Sequence, residues 1–165
     1  MKIQVSGLSQ GHYSYRFQVA PAEIGLDGRF TAEVVVEAHL EKTVTQLALS
    51  AHLATEGRFT CDRCADEFAM PLTASYRMHY LWNEDEAAGL DPSEVQIVSA
   101  SLAVIDLSED VRQTLLLAVP LKLLCRDACK GLCPHCGTNL NQKRCSCSDE
   151  PGDNRWEALR SFRTN

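Results

Sequence analysis

Positive charge, aromatic residues and long apolar runs are all scarce in this sequence. It has 16 Lys and Arg against 22 Asp and Glu, a formal net charge of -6, and only 7% aromatic residues. The acidic balance argues against a protein that holds nucleic acid through bulk electrostatics, which needs an excess of cationic side chains. No apolar run approaches the roughly 20 residues of a membrane helix, and no secretory signal pattern opens the chain. We therefore expect a cytoplasmic protein with no membrane partner.

The charges are unevenly distributed along the chain. Residues 83–110 contain eight acidic residues and no basic one, whereas from Pro120 onward eight Lys and Arg accompany five Asp and Glu. Electrostatic attraction to an anionic partner is therefore expected in the C-terminal part of the chain.

Apolar and polar residues alternate along four segments of the first two thirds of the chain. The alternation begins near Tyr13, Phe30, Leu47 and Phe68. This period is typical of antiparallel strands with one buried face, and we expect a meander that can curl towards a barrel. Pro71 on the polar side of the last segment indicates an edge position or a bulge.

Between Asp106 and Pro120 the spacing of apolar residues becomes that of a helix. Asp106 or Ser108 is expected to cap its N-terminus, and Pro120 is expected to end it. A short strand is expected over 95–98 and a second helix over 153–163. The sequence thus predicts an α+β fold. An antiparallel β-sheet body, residues 1–119 with a helix near 107–119, precedes a Cys-rich zinc-binding tail, residues 120–165, with a short C-terminal helix.

Cysteine is abundant, and its eight copies form four close pairs. The pairs are Cys61 and Cys64, Cys125 and Cys129, Cys133 and Cys136, Cys145 and Cys147. In a reducing compartment such spacings favour metal ligation over disulfides, and eight thiolates suffice for two structural four-cysteine Zn²⁺ sites.

The spacing favours a grouping of the last four cysteines around one zinc and the first four around another. The second site would then join a β-hairpin to the segment that follows the helix, across about 60 residues, which restricts the unfolded chain strongly. Two alternatives remain open. The middle four cysteines could form one compact site, leaving the outer four, or a single zinc could be accompanied by spare thiols.

Three other chemistries compete with structural zinc. A redox dithiol favours C-x2-C at a helix N-terminus, but TCDRCADEF lies between two predicted strands. A catalytic zinc needs an open position, whereas the cysteines suffice for closed shells. A nucleic-acid finger would draw on nearby Lys and Arg, yet a zinc with four thiolates carries a formal charge of -2 and cancels much of that basicity.

Five motifs in order resemble the YceD family of bacterial and plastid proteins, the large ribosomal RNA subunit accumulation proteins. The motifs are FTCDRCADEF at 59–68, IDLSEDVRQTLLLAVPLKLLC at 105–125, CKGLCPHCGTNLN at 129–141, CSC at 145–147 and DNRWEALRSF at 153–162. The sequence has Asn154 where the family often has proline. The resemblance implies a role in accumulation of 23S ribosomal RNA and brings no catalytic residues.

The resulting hypothesis is a non-enzymatic factor for biogenesis of the large ribosomal subunit. Its partners would be precursor or mature large-subunit rRNA, a ribosomal protein, or both, with no small-molecule substrate. Six basic residues form the expected contact surface: Lys130, Lys143, Arg144, Arg155, Arg160 and Arg163. The alternatives are a zinc- or thiol-dependent enzyme and a chaperone for a ribosomal protein.

Overall fold

The computed structural model describes residues 1–147, which form seven strands, one α-helix and three short 3-10 turns. The strands are β1 (Lys2–Gln4), β2 (Gly11–Val19), β3 (Val34–Lys42), β4 (Gln46–Thr60), β5 (Glu67–Leu81), β6 (Val95–Ile97) and β7 (Val104–Asp106). The helix α1 is Ser108–Ala118, and the 3-10 turns are Pro21–Ile24, Glu84–Ala87 and Pro92–Glu94. The helix expected over 153–163 lies outside the described residues.

Five strands form one mixed sheet in the order β2-β3-β4-β5-β6. The first four make the predicted antiparallel meander, while β6 runs parallel to the end of β5, with His79 opposite Val95. Strands β1 and β7 form a separate antiparallel pair. The α+β prediction is confirmed, with β-structure predominating.

The sheet is open, so the expectation that it curls towards a barrel is wrong. Strands β2 and β6 are its two edges, and they do not pair with each other. The physical reason is that α1 and the β1–β7 pair cover the inner face. Leu107, Val111 and Leu115 are buried there, together with Ile3 and Ile105. The apolar surface is therefore removed from water without closure of the sheet.

Strict alternation along β4 explains how the sheet acquires one dry and one wet face. The inward residues Leu47, Leu49, Ala51 and Leu53 are at most 2% exposed. The residues between them point to the opposite face, which solvent reaches. The four alternating segments predicted from the sequence thus correspond to β2, β3, β4 and β5, although β3 begins at Val34 rather than near Phe30.

The segment around Phe30 instead crosses the far end of β4. Phe30 forms an isolated bridge with Gly57, and its ring meets that of Phe59 edge-on at 6.5 Å between centroids. A Cβ atom at Gly57 would lie 2.5 Å from the Phe59 ring, so glycine is required for this approach.

Pro71 lies on the unpaired edge of β5, which confirms the edge prediction. It stands opposite Glu56, whose carbonyl accepts from the N–H groups of Thr31 and Ala32 and so points away from β5. Strand β6 reaches only the last residues of β5, from His79 onward. No ladder hydrogen bond is lost at the proline.

The N-cap of helix α1 is Leu107, not Asp106 or Ser108 as expected, and Asp106 accepts a hydrogen bond from the Ser108 N–H at 3.0 Å. The helix ends at Ala118, two residues before Pro120. No helix within the described residues is long and apolar enough to cross a membrane.

Candidate metal centres

The first pair of cysteines lies in the tight turn that joins β4 to β5. The Cys61 N–H donates to the Asp66 carbonyl at 2.9 Å, and the Ala65 N–H donates to the Cys61 carbonyl at 2.9 Å. Ala65 has a φ of +58°, a left-handed conformation that alanine rarely adopts. The strained residue lets the chain reverse directly after Cys64.

The second pair reaches this turn from the segment that follows α1. The Asp62 N–H donates to the Leu123 carbonyl at 2.8 Å, and the Asp62 carboxylate accepts from the Leu123 N–H at 2.6 Å. The Arg63 guanidinium donates to the Cys129 carbonyl at 2.9 Å. These contacts place Cys125 and Cys129 beside Cys61 and Cys64, forming the first centre.

The geometry of the first centre suits a tetrahedral metal ion. Its four sulfurs lie within 4.8 Å of one another. The Cys61 and Cys129 sulfurs are 3.8 Å apart, and those of Cys64 and Cys125 are 3.7 Å apart. A tetrahedron with metal–sulfur bonds of about 2.3 Å has edges of about 3.8 Å. Three of the four residues are buried, so the first centre is shielded from solvent.

The second centre consists of Cys133, Cys136, Cys145 and Cys147, whose sulfurs also lie within 4.8 Å of one another. Its turn repeats the construction of the first: the Gly137 N–H donates to the Cys133 carbonyl at 2.9 Å, and Gly137 has a φ of +69°. The Cys145 and Cys133 sulfurs are 3.5 Å apart. Cys136 and Cys147 are exposed, so this centre lies at the surface.

Hydrogen bonds to sulfur prepare Cys61 in the first centre and Cys136 in the second to ionise. Burial acts to raise the pKa of Cys61, but the backbone N–H groups of Cys125, Cys64 and Arg63 outweigh it and lower the pKa to about 6. In the second centre the hydroxyl and N–H of Thr138 lower the pKa of Cys136 to about 6. Donors that stabilise the thiolate favour the form of cysteine that binds metal.

Two other thiols show the opposite tendency most strongly. At Cys64 the Asp66 N–H acts to lower the pKa, but burial and the neighbouring thiols outweigh it and raise the pKa to about 12. The thiol of Cys136 raises the pKa of Cys147 to about 12. Four sulfurs this close cannot all be anionic unless a cation lies among them. The donor set therefore fits a divalent ion, and all-sulfur donors suit zinc.

A chain of side-chain hydrogen bonds joins the two centres. The Asn141 amide donates to the Cys129 sulfur at 3.3 Å, and the Asn141 carbonyl oxygen accepts from the Lys130 N–H at 2.9 Å. Asn139 accepts from the Asn141 N–H at 3.0 Å and donates to the Asp66 carboxylate at 2.8 Å. The residues that carry the second centre thereby support a sulfur of the first.

The backbone makes a second connection between the centres. The Leu132 N–H donates to the Arg63 carbonyl at 2.9 Å. A Cβ atom at Gly131 would lie 3.0 Å from that carbonyl, and the φ of Gly131 is +76°. Only glycine permits this close approach without strain.

The sulfurs are grouped as the spacing favours, first four and last four. Sequence reasoning missed the roles of Asp62, Arg63 and Asp66, because polar residues in a turn carry no signal for such distant partners. Of the predicted contact residues, Lys130, Lys143 and Arg144 are exposed, and they form no ion pair with other described residues. The other three, Arg155, Arg160 and Arg163, lie outside the described part.

Comparison with known proteins places these centres in a family. The model of the large ribosomal RNA subunit accumulation protein YceD matches residues 49–163. The large ribosomal RNA subunit accumulation protein YCED homolog 1, chloroplastic, of Arabidopsis thaliana is 37% identical over 59 residues. That match covers 36% of this chain and 18% of the relative, and no solved structure matches. The family match includes β5, α1 and all eight cysteines, and the chain belongs to the YceD family.

Proposed function

We propose that the protein is a non-enzymatic, cytoplasmic factor for 23S rRNA accumulation and so for biogenesis of the large ribosomal subunit. The observation that carries this proposal is the family match over residues 49–163. The Arabidopsis relative, a chloroplastic protein, is named for large ribosomal RNA subunit accumulation, although the two chains share only a short segment.

The two centres support a structural use of metal. Each offers four thiols whose sulfurs lie within 4.8 Å of one another, so a bound ion would have a complete protein shell and no position for substrate. We propose one Zn²⁺ in each centre. In the first centre the ion would fasten the tail, residues 120–165, to the hairpin of the body, residues 1–119.

The direct contact is proposed to run through the basic residues of the tail. The exposed Lys130, Lys143 and Arg144 are free to meet an anionic partner. With Arg155, Arg160 and Arg163 they would contact precursor or mature large-subunit rRNA, a ribosomal protein, or both.

A thiol-dependent activity is the second candidate, because Cys136 is exposed and its pKa is lowered to about 6. The two candidates differ in thiol chemistry. In a structural centre Cys136 stays bound to zinc and does not react with an alkylating reagent. In a thiol enzyme the reagent would modify Cys136 while the protein still holds its metal.

Co-sedimentation with ribosomal particles tests the proposal. The tagged wild-type chain is expected in fractions that contain large-subunit precursors. Replacing all six basic residues by Glu should move it to the soluble fractions while leaving its zinc content unchanged. Retention of the substituted chain in the particle fractions would contradict the contact surface, and absence of the wild-type chain from them would contradict the function.

A further inference from the structure

The solvent-exposed face of the five-stranded sheet carries a continuous trough along β4. Three shallow depressions of about 420, 360 and 500 Å³ adjoin one another there. The first and second share Ser50, and the second and third share His52. The trough follows residues 48–54, a distance of about 20 Å at about 3.3 Å per residue.

Small side chains form the floor of the trough, and nitrogen-bearing side chains form much of its walls. Ala48, Ser50 and Ala54 project from β4 into it, and His52 projects between the last two. Ser50 stands between His39 on β3 and Arg77 on β5 in the strand register. Four of the five histidines of the chain line the trough: His12, His39, His52 and His79.

Arg77 is a positively charged residue of the trough that has no ionic partner among the described residues. Two carboxylates of the trough already have basic side chains as partners on β2: Glu37 lies 3.7 Å from Arg16, and Glu41 lies 3.9 Å from His12. Arg77 is exposed and makes no ion pair with any residue from 1 to 147. Glu94 also borders the trough, near its middle. Arg77 is thus available to an anionic group in a chain that is acidic as a whole.

The occupant that fits these features is a single strand of RNA. Imidazole rings and guanidinium planes are surfaces on which unpaired bases stack, and Arg77 can meet a phosphate. The small floor residues let a base approach the sheet. A trough of about 20 Å accommodates only a few nucleotides, so the contact is local and does not depend on the net charge of the chain.

An extended peptide fits less well. The backbone of β4 is hydrogen-bonded to β3 on one side and to β5 on the other, which leaves no edge for strand addition in the trough. All three depressions of the trough are shallow and open, and none encloses a peptide side chain.

We propose that the exposed sheet face binds single-stranded RNA along β4, with Arg77 on a phosphate and the histidines against the bases. This proposal rests on the proposed function in rRNA accumulation, and it adds a contact surface on the body to the one on the tail.

Fluorescence anisotropy of the zinc-loaded full chain with a labelled single-stranded RNA of about 8 nucleotides tests the proposal. Arg77→Glu should weaken binding about tenfold or more and reduce the salt slope by about 0.7 for the lost phosphate contact. Ser50→Ile, which fills the floor without changing charge, should weaken binding similarly.

Two control variants on the same sheet face separate the trough from general effects. Arg58→Glu makes the same charge change beyond the trough, and Ala69→Ile, opposite Arg58, makes a bulk change there. Both should bind within about twofold of the wild type. Equal losses in Arg77→Glu and Arg58→Glu, or full binding by Ser50→Ile, would overturn the proposal.

Competition experiments identify the ligand class. A duplex RNA and an oligoglutamate peptide of equal charge should both compete at least about tenfold less well than the single strand. Equal competition by the peptide would show that the trough selects charge alone and would overturn the RNA assignment. Loss of RNA binding only in the Lys130, Lys143 and Arg144 charge reversals would refute the trough and leave the proposed function intact.

Discussion

The residue that follows each C-x2-C turn adopts a left-handed conformation, and this predicts opposite effects for two substitutions. Gly137 has a φ of +69°, and a Cβ atom there would meet nothing within 4 Å. The cost of Gly137→Ala therefore comes from backbone strain alone. A left-handed L-residue costs about 1–2 kcal/mol, of which the lower entropy of the unfolded alanine chain offsets about 0.4–1 kcal/mol.

A net cost of about 1 kcal/mol should lower the zinc affinity of the second centre about fivefold. The reverse change in the first centre, Ala65→Gly, relieves a φ of +58° and should raise affinity there by a similar factor. Gly28→Ala is the matched control, because its Cβ atom would also be free of contacts and no positive φ is involved.

The assay is competition for zinc between each purified variant and a chelating dye of known affinity. Thermal unfolding of the zinc-loaded proteins is the second readout, with shifts of roughly 2–4 °C per kcal/mol for a chain of this size. Unchanged affinity in Gly137→Ala, or an equal loss in Gly28→Ala, would refute the argument from backbone strain. So would weaker binding in Ala65→Gly.

Three further perturbations have defined outcomes. Asn141→Ala removes an N–H donor to sulfur and should lower zinc affinity at the first centre about tenfold or more in the same dye assay; wild-type affinity would contradict the role of that bond. Leu115→Ala should lower the free energy of unfolding in urea by about 2–5 kcal/mol, whereas exposed Leu117→Ala on the same helix should change it little; equal effects would contradict the packing of α1. The hydroxyl and N–H of Ser108 lower the pKa of Asp106, so the stabilisation is present above the unfolded-state pKa and is lost as the pH falls through the lowered value. Asp106→Asn should therefore be less stable than wild type at pH 7, with the difference shrinking as the pH falls through the lowered pKa of Asp106; a difference that persists unchanged in acid would contradict this linkage.

Hydrophobic period and cysteine spacing were sufficient to predict much of the molecule. The alternation along β2 to β5 marks the meander because each of these strands has one wet face. The change of period after Asp106 locates α1 to within one or two residues. The two groups of four sulfurs are predicted when the cysteine pairs are assigned to sites in sequence order, the first four to one site and the last four to the other.

Other parts depend on tertiary contacts that local patterns do not encode. Strands β1 and β7 have three residues each, too few for a period to be recognised, whereas the short strand expected over 95–98 is confirmed as β6. The open sheet depends on α1 covering its inner face, a contact that the period of α1 alone does not specify. Nothing in the local sequence indicates the left-handed conformation of Ala65, because the surrounding turn imposes it. The sequence around Asn139 and Asn141 likewise does not indicate that their side chains donate to Asp66 and Cys129.

The most direct measurement of the central claim is the ratio of 23S to 16S rRNA in cells that lack this gene. The proposed function predicts a lowered ratio and fewer large subunits in the ribosome profile. Both should be restored by the wild-type chain but not by Cys133→Ser/Cys136→Ser, which disrupts the second centre. A normal ratio and a normal profile in the deletion strain would contradict the claim.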